Sequence, residues 1–100
     1  MKDEKEIKKR KKYIPLRREY LHKARNKLKY SIEELSRKLD VSAVYYYQIE
    51  AGKRGRKLPV DLIIKLTEFL CIKADKFLNA EKAYMKEFDK LNEIKEKNMW

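Results

Sequence analysis

Two helix-start signals, Ser31 and Ser42, stand only eleven residues apart in this chain, and Gly52 follows ten residues after the second. In "YSIEELSRKL", Ser31 is placed to cap a helix, and Glu34, three residues on, completes a capping box. Tyr30 and Leu35 flank the cap at the spacing of a hydrophobic staple. This helix buries Leu35 and Leu39 and must stop near Asp40, because Asp tolerates left-handed turn geometry and Val41-Ser42 begins a new element. Ser42 caps the next helix, over about 43–51, and Gly52 ends it. Two short helices joined by a tight turn are the outcome, and the rest of the fold has to be built around that corner.

The flanking segments supply more helices. With 2 Gly and 2 Pro in 100 residues, a turn-rich β fold is excluded and uninterrupted helices are favoured. An apolar stripe at Leu16, Tyr20, Leu21, Ala24 and Leu28 marks a first helix with Pro15 in its first turn. Pro59 opens a fourth, "VDLIIKLTEFL", with Leu62, Ile63, Leu66 and Leu70 on its apolar face. "KADKFL" reads as a short fifth turn or helix presenting Phe77 and Leu78. The remainder reads as a long charged helix striped at Ala80, Tyr84, Phe88, Leu91 and Ile94. Three regions follow: a basic arm over 1–12, expected to be disordered, a helical domain over 13–78, and a C-terminal amphipathic helix over 79–100.

Charge narrows the function. The net charge is +11, and residues 1–57 carry 19 Lys and Arg against 8 Asp and Glu, while the remainder carries 8 of each sign. A surplus confined to one part of a small domain calls for a polyanionic partner. No run of apolar residues is long enough to span a membrane, and the N-terminus lacks the apolar core of a secretion signal, so a cytoplasmic location is the default expectation. The single cysteine, Cys71, excludes an internal disulfide and is expected to be a small buried residue. His22 has no metal-ligand partner in sequence, and no nucleophile motif, phosphate loop or carboxylate pair stands out. Neither metal, cofactor nor catalytic residue is expected, and the chain is not read as an enzyme.

The segment from Arg25 to Arg54, "RNKLKYSIEELSRKLDVSAVYYYQIEAGKR", resembles the phage-repressor and Cro-type family of helix-turn-helix DNA-binding regulators, also called the xenobiotic-response-element family. Arg25, the Ser31-x-x-Glu34-Leu35 start, Leu39, Val41-Ser42, Ile49-Glu50 and Gly52-x-Arg54 carry the likeness, which extends over about 21–78. The resemblance implies an all-α, five-helix lambda-repressor-like domain, here with an additional C-terminal helix, that reads double-stranded DNA with helix 43–51. It also implies a partly buried structural ion pair between Arg25 and Glu50, and a core role for Tyr46. The chain departs from the family at Ile32, where Gln is frequent, at Ser36, where Ala is usual, and at Lys29, Asp40 and Cys71, where Gly is usual.

Helical geometry separates the three consecutive tyrosines. At 100° per residue, Ser42, Tyr46, Ile49 and Glu50 share one side of helix 43–51, and Val44, Tyr47, Gln48 and Ala51 lie opposite. The base-reading set is expected to be Ala43, Val44, Tyr47 and Gln48. Gln bonds adenine bidentately, small apolar groups suit the thymine methyl, and no Arg or Lys stands on this face, so an A/T-rich target is expected. Tyr45 is a half-buried flank whose hydroxyl reaches a phosphate. Lys29, Lys53, Arg54, Arg56 and Lys57 complete the expected phosphate contacts.

Two readings of the last helix are open. It folds back over the first and fourth helices and enlarges their core, or it pairs with another copy so that a homodimer reads an inverted repeat; the dimer is preferred. The functional expectation is a transcriptional regulator acting as a repressor, and the alternative is an antitoxin-like module whose C-terminal helix holds a protein partner.

Overall fold

The computed structural model of the chain describes residues 13–99, with side chains through Asn92. The basic arm expected over 1–12, and the end of the C-terminal stripe from Ile94 on, lie outside what is described. The described residues form five helices in order: α1 (Glu19–Lys27), α2 (Ile32–Leu39), α3 (Ala43–Ala51), α4 (Val60–Phe69) and α5 (Ala74–Met99). Among the described residues there is no strand.

The corner at Ser31–Gly52 is built as its cap residues dictate. The Ser31 hydroxyl accepts from the Glu34 amide at 3.0 Å, and the Ser31 amide donates to the Glu34 carboxylate at 2.9 Å, closing the capping box. At the head of α3 the Ser42 hydroxyl accepts from the Tyr45 amide at 3.0 Å. Leu21, Leu35, Leu39, Tyr46, Ile49, Leu62, Leu66, Leu70 and Phe77 form one core to which every helix contributes. Each such side chain withdrawn from water is worth about 1.5–3 kcal/mol.

All four short helices end in the same way. The amides of Tyr30, Val41, Lys53 and Ile72 reach back five residues to the carbonyls of Arg25, Ser36, Gln48 and Thr67. This closure requires the residue before each of those amides to be left-handed. It is Lys29 (φ 60°), Asp40 (φ 61°), Gly52 (φ 75°) and Cys71 (φ 56°). Three non-glycine residues therefore stand in backbone geometry that suits glycine. The same placement turns Cys71 outward: it is exposed, not buried as its residue type suggested.

Two further expectations are corrected. Pro15 and Leu16 do not open α1; residues 13–18 form an extended strap. Its backbone groups have partners elsewhere: the Ile14 amide donates to Asn92 Oδ1 at 2.7 Å, and the Leu16 carbonyl accepts from the Tyr84 hydroxyl at 2.7 Å. A helix opened at Pro15 would have spent the Leu16 carbonyl on the amide four residues on. The second concerns "KADKFL", which is the first turn and a half of the 26-residue α5 rather than a separate element. No Gly or Pro interrupts the run from Ala74 onward.

Through Asn92, α5 packs back on the body. Phe77, Glu81, Tyr84, Phe88 and Asn92 are buried along one stripe. Tyr84 and Phe88 lie against the strap, Tyr84 through its hydroxyl on the Leu16 carbonyl and Phe88 with its ring centre 5.6 Å from that of Tyr13.

Candidate nucleic-acid interface

The inner side of α3 is held by a buried carboxylate. Glu50 accepts from Arg25 Nε and Nη2, both at 2.9 Å, from the Tyr46 hydroxyl at 2.7 Å, and sits 3.0 Å from His22 Nδ1. Arg25 also donates to the Tyr30 carbonyl at 2.9 Å, tying α1 to the turn before α2. Burial pushes the Glu50 carboxyl up, but the hydrogen bonds from Arg25, Tyr46 and His22 outweigh it and hold the group below the usual range. Tyr46 is fully buried, and burial beside Glu50 pushes its hydroxyl up. The only acid on α3 is thus turned inward and neutralised.

The outer side carries Val44, 66% exposed, and Tyr47, 47% exposed, flanked by the half-buried Ala43 and Gln48. The basic loop after Gly52 folds back onto this face. The Lys53 ammonium stands 5.4 Å from the centre of the Tyr47 ring, and the Arg54 guanidinium stands 4.8 Å from that of Tyr45. Cations over ring faces hold these long side chains near the helix. Arg54 Nη1 also donates to Gln48 Oε1 at 2.9 Å. Sequence alone placed no cation on the reading face; the loop brings Arg54 to it.

Of the other expected phosphate contacts, Tyr45 is half-buried and Lys57 is exposed, while Lys29 is exposed in the turn between α1 and α2. Arg56 is placed differently from expectation. It forks onto Asp89 of α5, with Nε 2.6 Å and Nη2 2.8 Å from the two carboxylate oxygens. The Arg56 hydrogen bonds hold the Asp89 carboxyl below the usual range. Arg56 therefore starts out with an anion of its own.

Arg18 is the residue that sequence reasoning missed. It is fully buried, and its guanidinium donates to both Glu81 oxygens, at 3.1 and 2.8 Å, to the Ile49 carbonyl at 2.9 Å and to the Arg56 carbonyl at 3.0 Å. Its amide donates to the Glu50 carbonyl at 2.8 Å, and the Tyr84 ring lies 4.2 Å away. Tyr20 adds a hydroxyl bond to Glu81. At the C-terminus of α3 the Arg18 amide thereby caps the Glu50 carbonyl, and its guanidinium adds a cation to the Ile49 carbonyl, which also suits the helix dipole. A single side chain fixes the end of α3, the basic loop and α5 relative to one another. The available signal was Glu81, a lone acid between Phe77 and Tyr84 on an apolar stripe, which has to find a buried partner.

Among the described residues no group of acids, His or Cys is arranged to hold a metal ion, and no helix is long and apolar enough to cross a membrane. What the surface offers is an apolar and amide strip along α3, rimmed by cations and free of exposed carboxylates. A family model described as helix-turn-helix matches residues 21–77. No curated protein and no solved structure matches the chain.

Proposed function

The chain belongs to the helix-turn-helix family of phage-repressor and Cro type, whose members are DNA-binding transcription regulators, and from that premise we propose that it is a repressor reading the major groove with α3. The carrying observation is the outer face of α3, where Val44, Tyr47 and Gln48 stand between Lys53 and Arg54 while Glu50 is buried. Ala43, Val44 and Tyr47 supply apolar contact for thymine methyl groups, and Gln48 supplies the donor and acceptor for adenine. Lys29, Tyr45, Lys53, Arg54 and Lys57 take backbone phosphates. Arg25 and Glu50 hold the reading helix in place and touch no base.

The target proposed is an A/T-rich inverted repeat bound by two copies, with half-sites about 34 Å apart. The Arg54–Gln48 bond favours a second reading of one position. A guanidinium beside the amide is placed to bond guanine if it leaves Gln48, which would add one G·C pair to the half-site. Randomised-duplex selection decides between the two. Enrichment of A·T at every contacted pair supports the first, and one fixed G·C pair that is lost with Arg54→Ala supports the second. Half-sites rich in G·C throughout would overturn both, and a monomer by sedimentation on its selected duplex would overturn the dimer.

A further inference from the structure

We infer that Asp89 of α5 occupies, on Arg56, the place that a DNA backbone phosphate takes when the duplex is bound, so that Asp89 sets how tightly the protein holds any DNA. This rests on the reading that α3 docks in the major groove.

Geometry comes first. Arg56 presents Nε and Nη2 to two oxygens of one carboxylate, at 2.6 and 2.8 Å. A guanidinium uses the same fork for two non-bridging oxygens of a phosphate. The pair stands in an open hollow of about 380 Å³, where Tyr13, Arg54, Arg56 and Lys57 also face Asp89. Tyr13 and Arg54 line a second hollow as well, together with Gln48 and Lys53. A continuous cationic track thus runs from Gln48 on α3, past Arg54, to Arg56. Among the described residues Asp89 is the only acid lining either hollow, and it is supplied by α5 and not by the loop.

Accessibility comes second. The Arg56 and Asp89 side chains are 36% and 44% exposed. Their attraction is therefore screened and weak, unlike that of the buried Arg18–Glu81 pair. A phosphate arriving along the track can exchange with Asp89 without opening the core. On exchange, the duplex gives up a condensed cation, while the released Asp89, left beside the phosphates, takes one up. The Arg56 contact then adds little to the salt dependence of binding until Asp89 is removed.

The experiment measures duplex affinity against salt concentration for the full chain and for Asp89→Asn, on a selected site and on an unrelated duplex. The expected result is a gain of about threefold to tenfold at low salt on both duplexes, with the log–log slope steeper by about 0.9. Arg56→Ala made together with Asp89→Asn should remove that gain. Lys53→Ala, at a residue with no acid against it among the described residues, should weaken both backgrounds equally. Asp89→Ser repeats the measurement with a second replacement, and thermal unfolding checks that each variant folds. Unchanged or lower affinity for both Asp89 variants, with wild type still binding, overturns the inference. Failure of the wild type to bind any duplex at any salt overturns instead the reading of α3 on which it rests.

Discussion

Arg18 and Glu81 meet in a fork closed from solvent, their side chains 0% and 6% exposed and their charged atoms 2.8 Å apart. The pair lies between the end of α3 and α5, and the Arg18 guanidinium serves two backbone carbonyls in addition to the carboxylate. Removing either partner strands a buried charge. Glu81→Ala or Arg18→Ala should cost about 3–5 kcal/mol in urea unfolding, while replacing both by apolar residues of similar volume should recover much of that loss. Equal losses for the single and double replacements would refute the account.

The left-handed helix ends make an opposite prediction. Lys29→Gly and Cys71→Gly should each stabilise the fold by about 0.5–1 kcal/mol, as relief of strain outweighs the added freedom of the unfolded chain. Asp40→Gly should gain less, since Asp tolerates this geometry best of the three. Thermal midpoints of the three variants test the order.

Gly52 allows no such latitude. A Cβ there would lie 1.9 Å from the Leu16 carbonyl oxygen of the strap, at a φ of +75°. At Gly55, also left-handed, a Cβ meets nothing within 4 Å. Gly55→Ala should cost about 1–2 kcal/mol from its backbone alone, and Gly52→Ala clearly more, because the strap must lift. Similar losses at the two positions would contradict the close approach.

Stability should fall on the acid side. The Glu50 carboxyl titrates lower when folded than when unfolded, because its bonds from Arg25, Tyr46 and His22 outweigh burial. Its contribution is complete above the ordinary glutamate pKa and is lost as pH drops through the lower folded value. Urea midpoints should hold from about pH 7 to about pH 5 and then decline. Glu50→Gln should be weaker at neutral pH and decline less steeply.

The three tyrosines should separate cleanly. Tyr46→Phe removes a hydrogen bond to a buried carboxylate and should cost about 1.5–3 kcal/mol. Tyr47→Ala, at a position 47% exposed, should leave stability within about 0.5 kcal/mol while weakening binding to the selected duplex. A destabilised Tyr47→Ala protein with unaltered DNA affinity would reverse the assignment.

Local signals carried much of this fold in the sequence. Ser31, Glu34, Ser42 and Gly52 announce the corner because capping is settled within a few residues. The glycine positions taken by Lys29, Asp40 and Cys71 were visible as departures, and their left-handed backbone gives the physical reason. Contacts between distant segments were not legible. Arg18 sits in a basic stretch and drew no assignment from the sequence, since its partner stands 63 residues away. The same distance effect hid Asp89 from Arg56 and turned the strap from an expected helical turn into extended chain. On the reading helix, periodicity separated Tyr46 from Tyr47, yet it could not foresee Arg54 returning to Gln48, because a loop has no period.

The bond between Ile14 and Asn92 spans 78 residues of chain, and it bears on the order in which the protein is made. During synthesis, α1 to α4 emerge first, and the corner of α2 and α3 has what it needs to form at once. The strap emerges earlier still and can meet the end of α3, but Ile14, the Leu16 carbonyl and the Arg18 fork lack their α5 partners until Glu81, Tyr84 and Asn92 have been added. Until then Arg18 cannot be paired with Glu81 and the cap on α3 remains incomplete. A nascent chain arrested before Asn92 should carry a helix-turn-helix whose reading helix is unfinished at its far end, so a later-made segment licenses an earlier-made surface.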